Sequence, residues 1–358
     1  MIDLDDAGAV AAADPSGILR AILGFGDQCR RGYAIGRAAE PLPDAAGVSS
    51  IVLCGMGGSG VAGDVIRALY RDRLGIPVDV VKDVAIPEHC SPHSLVVCSS
   101  FSGNTMETLA CFAQALDRGC RVVAVCGGGE LRLRAEEAGV PVLAMPPDPP
   151  APRTALGLLL LSTLGALEEM GLVPTLGDEM ESAAASLDRA AASVSPEAPE
   201  EGNDAKRVAR FVGDRMPVIW GEDGIGAVAA TRWKTEMQEN AKVPAFSASF
   251  PELDHNEVVP WGEGWRGAGD TFALVTLRHE GERPELAGLI RDSEALMAEG
   301  GMKTVEVWAE GDSPLARVLS LALVGGAASV YLGLLRGVDP APIPAIDRLK
   351  RGRAERTR

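Results

Sequence analysis

Histidine is scarce in this chain, four residues in 358, and no cluster of His, Cys, Asp and Glu has metal-ligand spacing. The two nearest histidines, His89 and His93, are bracketed by Pro87 and Pro92, which deny them a common helical face. A metal centre is therefore not expected. Cysteine is absent after Cys126. The seven present (Cys29, Cys54, Cys90, Cys98, Cys111, Cys120 and Cys126) are odd in number and include no C-x-x-C pair, so neither a disulfide framework nor a zinc site is suggested. Basic residues are the minority, 34 against 50 acidic, and a net charge of −16 repels polyanions and argues against nucleic acid as a partner. Residues 1–14 lack the basic start and apolar core of a signal peptide. A reducing cytoplasm is the expected compartment.

Charge is also missing from residues 318–335, a run long enough to cross a membrane. It contains Ser320, Gly325, Gly326, Ser329, Tyr331 and Gly333, however, and no second span accompanies it. A helix buried between other elements is the expectation, with no membrane partner. Aromatics are only 4% of the chain, while 42 glycines and 46% hydrophobic residues describe a globular chain rich in turns and helices, long enough for two domains.

Short apolar runs at 51–54, 78–81, 95–99, 122–126 and 140–144 alternate with helical stretches such as 59–70 and 105–116. Such alternation predicts a parallel α/β sheet. A proline-dense break at 146–152 ends this unit, and residues 153–171 then read as an apolar helix. An alanine-rich helix around 179–192 and a linker-like 195–204 follow, and a second α/β unit takes strands at 218–220, 272–277 and 305–309. Aligning Cys54 with Trp220 sets Gly55, Gly58 and Gly60 opposite Gly221, Gly224 and Gly226, a weak sign of internal duplication. Ser59 of the first loop faces Ile225 in the second, where Glu222 and Asp223 would repel an anion at a helix N-terminus.

The run Gly55-Met56-Gly57-Gly58-Ser59-Gly60 joins a strand to a helix. It matches neither the Walker pattern nor the dinucleotide fingerprint, and by itself suits a phosphate and a tight strand-to-helix turn equally. A second hydroxyl cluster, Ser99-Ser100-Phe101-Ser102-Gly103-Asn104-Thr105, follows the strand at 95–98. Two loops at the carboxyl edge of one parallel sheet can converge on one anion; the alternative is a well-capped helix with spare serines.

These loops resemble the sugar isomerase (SIS) domain, whose phosphosugar site uses a Gly-Gly-Ser loop and a Ser-x-Ser-Gly-Asn-Thr loop. Three further stretches narrow the likeness: Pro152-Arg153-Thr154-Ala155-Leu156-Gly157; Glu239-Asn240-Ala241-Lys242 with Pro251-Glu252-Leu253-Asp254-His255-Asn256-Glu257; and Leu335-Arg336-Gly337-Val338-Asp339-Pro340 leading to Ile346-Asp347-Arg348-Leu349-Lys350. Together they resemble the bifunctional phosphoglucose/phosphomannose isomerases over roughly residues 50–350. The chain departs from the pattern at Phe101, where tyrosine is common, and at Ala341, where many members carry threonine; the latter leaves sugar preference open.

The resemblance implies an α/β chain with two SIS-type doubly wound parallel-sheet domains, flavodoxin-like three-layer αβα units with connecting helices. The divisions would be 1–150 (N-terminal region and phosphate-binding first domain), 151–204 (connecting helices and linker) and 205–358 (second SIS-like domain with C-terminal helices). It implies an aldose-ketose isomerase that interconverts glucose 6-phosphate, and mannose 6-phosphate, with fructose 6-phosphate through a cis-enediolate, with no metal or cofactor. Gly58, Ser59, Ser100, Ser102 and Thr105 would hold the phosphate, and Glu239 would carry the proton between carbons 2 and 1. Arg153 would stabilise the enediolate charge, and His255 and Lys350 would assist ring opening. The family histidine comes from the neighbouring subunit, which implies a homodimer with shared sites. Two alternatives stand: a phosphosugar-binding regulator without catalysis, and a narrower phosphomannose isomerase.

Overall fold

The computed structural model describes residues 2–264 and 267–356. Three helices come first: α1 (Ala7–Ala13), α2 (Ile18–Leu23) and α3 (Phe25–Arg37). The first sheet then alternates β1 (Ser50–Gly55), α4 (Gly57–Tyr70), β2 (Val78–Val81), β3 (Ser94–Ser99), α5 (Met106–Asp117), β4 (Arg121–Cys126), α6 (Gly129–Glu137) and β5 (Val142–Ala144). All its neighbouring strands are parallel, in the order β2-β1-β3-β4-β5. β1 and β3 are buried along their whole length, as strands covered on both faces must be. Ile51, Leu53, Leu95, Val97, Val123 and Val125 face the central core, while Val52, Cys54, Val96, Cys98 and Ala124 face a second cluster formed with α5 and α6.

Between the sheets run α7 (Leu156–Glu169), α8 (Gly177–Ser193) and α9 (Asp204–Val212). The helix expected over 153–171 begins later than its apolar pattern suggests. Thr154 donates both its N–H and its hydroxyl to the Ala151 carbonyl, at 2.9 and 2.8 Å, and so closes a 3₁₀ turn, Pro152–Thr154, ahead of α7. Arg153 thus sits on a turn and not on a helix.

The second sheet repeats the plan with β6 (Met216–Glu222), α10 (Ile225–Asn240), β7 (Phe246–Phe250), α11 (Ala268–Thr271), β8 (Phe272–Arg278), α12 (Pro284–Glu299) and β9 (Thr304–Trp308), in the parallel order β7-β6-β8-β9. The duplication expected from the glycines is geometric as well. A Cβ at Gly60 would lie 2.5 Å from the Gly55 carbonyl oxygen, and one at Gly221 would lie 2.5 Å from that of Gly226, so each strand end abuts its own helix start at the same place.

α13 (Pro314–Leu335) and α14 (Pro344–Arg356) complete the chain. Ser313 caps α13, accepting from the Ala316 N–H at 3.1 Å, and Pro314 fills the first helical position. α13 contains the uncharged run of the sequence and is almost wholly buried. It packs against α8, α9 and α10, with Trp233 Nε1 donating to the Leu321 carbonyl at 2.7 Å and Tyr331 Oη to that of Val194 at 2.8 Å. One apolar core built on α2, α3, α7, α8 and α13 therefore joins the inner faces of both sheets.

Candidate active site

The two hydroxyl loops meet at the carboxyl ends of β1 and β3, where the strand order of the first sheet reverses. Ser59 is buried in the first turn of α4, and its Oγ accepts the Phe101 N–H at 3.2 Å, which ties one loop to the other. Ser100 and Thr105 are joined through their hydroxyls at 2.9 Å, while Ser102 is exposed and accepts the Asn104 N–H at 3.3 Å. Neither α4 nor α5 has a side-chain cap, and the N-terminal turn of each helix is the end that favours an anion.

Gly58 connects these loops to the rest of the site. A Cβ there would lie 2.9 Å from the Pro152 carbonyl oxygen and 3.1 Å from Arg153 Cα, the first of these closer than a side chain tolerates. The 3₁₀ turn carrying Arg153 therefore leans directly on the glycine loop.

Arg153 is 4% exposed and fully engaged. Its Nε donates to Asn240 Oδ1 at 2.7 Å, one terminal nitrogen to Glu239 Oε2 at 3.3 Å, and the other to the carbonyls of Pro340 and Ala341 at 2.9 and 3.0 Å. Glu239, on the last turn of α10, keeps 26% of its side chain exposed. Asn240 is wholly buried, and its amide nitrogen donates to Glu236 Oε2 at 2.5 Å and to Ser329 Oγ at 2.9 Å. Glu236 is ion-paired with Arg232, which also donates to the Arg153 carbonyl; burial pushes the Glu236 carboxyl up, opposed chiefly by Arg232. A buried polar chain from α13 and α10 thus sets the plane of the Arg153 guanidinium.

Lys242 adds a second cation. Its backbone stands at φ +56, unusual for a residue with a long side chain, and its Nζ donates to the carbonyls of Glu239 and Pro340. Burial, with Arg153 nearby, lowers its pKa. Asn240 and Lys242 lay inside the quoted Glu-Asn-Ala-Lys stretch, but nothing in their spacing assigned them a role.

Two of the expected residues do not join this network. His255 is exposed on the short helix Glu252–His255 after β7, and Lys350 is exposed on α14. His89, considered above as a metal ligand, pairs instead with Asp79 at 3.1 Å. Among the described residues, no three His, Cys, Asp or Glu side chains are grouped so as to hold a metal ion.

Comparison with known proteins gives this arrangement a family. The sequence profile of the bacterial phospho-glucose isomerase C-terminal SIS domain matches residues 201–352. A bifunctional phosphoglucose/phosphomannose isomerase of Caldicellulosiruptor bescii is 33% identical over 94% of this chain and 99% of its own length. One of Aquifex aeolicus is 32% identical, covering 84% of this chain and 89% of that protein. In three dimensions, a hypothetical protein of Thermus thermophilus superposes with a TM-score of 0.73 at 19% identity, over 95% of this chain and 91% of that one. On its near full-length similarity to these relatives, the chain belongs to the family of bifunctional phosphoglucose/phosphomannose isomerases.

Proposed function

We propose that the protein interconverts glucose 6-phosphate and mannose 6-phosphate with fructose 6-phosphate by proton transfer through a cis-enediolate, without a metal or cofactor. The observation that carries this reading is the juxtaposition of Gly58, Arg153 and Glu239, which puts an anion cradle, a buried cation and a partly exposed carboxylate in one continuous contact. Ser59, Ser100, Ser102 and Thr105, with the amides around Gly58, hold the phosphate.

Once the ring is open, the Glu239 carboxylate takes the proton from carbon 2 and returns it to carbon 1, while the hydroxyl proton on carbon 2 passes to the oxygen on carbon 1, leaving a carbonyl at carbon 2. The electron pair of the broken C–H bond passes into the carbon–carbon double bond of the enediolate, and Arg153 stabilises the charge on its oxygens. Carbon 2 is planar in that intermediate, so one site can accept both epimers. Ring opening moves a proton from the C1 hydroxyl to the ring oxygen, a task for His255 and Lys350. His255 reaches the site from a second copy of the chain, which makes the functional unit a homodimer. The cytoplasm is its compartment.

The test is formation of fructose 6-phosphate from each aldose phosphate separately, in the presence of a chelator, with Glu239→Gln as control. Turnover of both that survives chelation and is lost in the variant is expected. Turnover of mannose 6-phosphate alone would replace this reading with the narrower isomerase, and phosphosugar binding without turnover would replace it with a regulator.

A further inference from the structure

The second sheet ends in a cleft that the chemistry above does not use. Its strands β6 and β8 flank the reversal of strand order, the position that β1 and β3 occupy in the first sheet. Glu222 ends β6 and His279 follows β8, and both are buried, at 7% and 4% exposure. Glu222 Oε2 and His279 Nε2 stand 3.9 Å apart, and neither has a hydrogen-bond partner. Such orphans are costly in a protein interior unless something completes them. His279 Nδ1 accepts the Gly281 N–H at 3.2 Å, so the neutral ring carries its proton on Nε2. Burial lowers the His279 pKa and pushes the Glu222 carboxyl up to about 7.

This pair lines a cleft of about 330 Å³ whose remaining charged walls are Arg71, Asp72, Arg73, Asp223, Arg283 and Arg317. Arg71 neutralises Asp223 at 2.7 Å. That leaves Arg73, Arg283 and Arg317 against Asp72 and a partly protonated Glu222, a local positive balance in a strongly acidic protein. These cations come from beyond the end of α4, from the turn before α12 and from the first turn of α13, not from α10. The acidic residues that bar an anion from the start of α10 are therefore compatible with one held elsewhere in the cleft.

We propose that the cleft is a second ligand site, taking a hydroxylated organic phosphate whose phosphate lies on Arg73, Arg283 and Arg317 while one of its hydroxyls bridges Glu222 and His279. Two atoms 3.9 Å apart leave room for one hydroxyl oxygen about 2.8 Å from each. That hydroxyl accepts from His279 Nε2–H and donates to Glu222 Oε2, so both orphans are satisfied by a group able to do both. Inorganic phosphate would use the arginines alone. The site is independent of the activity proposed above.

Calorimetric titration of the Glu239→Gln chain with fructose 6-phosphate should find two sites per chain. In that background, the paired change Arg73→Ser and Arg283→Ser, both at exposed positions, should weaken one of them by about tenfold or more. In the otherwise native enzyme the same pair should leave KM and kcat unchanged. Ser59→Ala with Ser100→Ala should remove the other site and spare this one. His279→Ala should weaken fructose 6-phosphate at the second site and leave inorganic phosphate unaffected there. A single site abolished by the serine changes, or two sites untouched by the arginine changes, would overturn the proposal. A single site abolished by the arginine changes would uphold it and sink the phosphate-loop assignment instead. Inorganic phosphate binding as tightly as fructose 6-phosphate would overturn the hydroxyl bridge.

Discussion

Replacing Arg153 with lysine keeps the cation and removes the fork. In the native chain three guanidinium nitrogens serve four acceptors: Asn240 Oδ1, Glu239 Oε2 and the carbonyls of Pro340 and Ala341, at 2.7, 3.3, 2.9 and 3.0 Å. A lysine brings one nitrogen, and its three donors diverge from a single point, so acceptors arranged around a planar guanidinium cannot all be reached. Two buried acceptors left without a donor cost about 1–3 kcal/mol each, for a stability loss of about 2–6 kcal/mol. The catalytic cost is separate. A donor displaced from the developing enediolate should lower kcat by about 10²–10³-fold, whereas KM should stay within about threefold because the phosphate is held by other loops. A coupled assay of fructose 6-phosphate formation over a range of substrate concentrations, with denaturant unfolding of the same preparation, reads both effects. If kcat stayed within about threefold of the native enzyme while stability fell as expected, charge alone would suffice and the argument from the fork would be refuted.

Three further outcomes are expected. Ser59→Ala removes a hydroxyl that also accepts the Phe101 N–H, so KM for either aldose phosphate should rise about tenfold with kcat little changed; a fall in kcat at constant KM would displace Ser59 from phosphate binding. Glu222 has a folded pKa raised from 4.5 to about 7, so the folded state holds a proton that the unfolded state has lost, and native stability declines between those values by at most about 3 kcal/mol. Glu222→Gln should flatten that decline in urea unfolding measured at pH 5 and pH 8, and an unchanged pH dependence would count against the raised pKa. Mixing Glu239→Gln with His255→Ala, each inactive alone, should restore about a quarter of native activity after subunit exchange, since half the dimers are mixed and each has one intact site. No recovery would place His255 in its own chain's site or in none.

Much of the fold was legible because the central strands β1 and β3, covered on both faces, are almost continuously apolar, and the short apolar segments of the partly buried β2, β5 and β9 could be read beside them; among the nine described strands one, β7, gave no such signal. Its residues, Phe246-Ser247-Ala248-Ser249-Phe250, form the edge of the second sheet and are mostly half-exposed or exposed, so no apolar run was required of them. α1 and α2, at seven and six residues, are too short to show a helical period. That the two glycine- and serine-rich loops meet was legible from their places at the ends of neighbouring strands. The node around Arg153 was not, because its partners lie 86 to 188 residues away and two of them are backbone carbonyls, which no side-chain pattern reports. Asn240, Glu236 and Ser329 are polar residues whose importance comes from their burial together, a tertiary property.

α13 also bears on how the chain reaches its folded state. As it leaves the ribosome, this helix is, among the described residues, the one long and apolar enough to be mistaken for a membrane anchor, and exposed apolar surface of that kind favours clumping with other unfolded chains. Its covering helices α8, α9 and α10 all precede it in the chain, so they can already be waiting when it emerges. Delivering this apolar segment after the helices that cover it shortens the time it spends naked. A circular permutant that moved α13 ahead of those helices would keep every native contact and lose that protection, and its penalty would appear in the yield of soluble protein, not in the melting temperature of what survives.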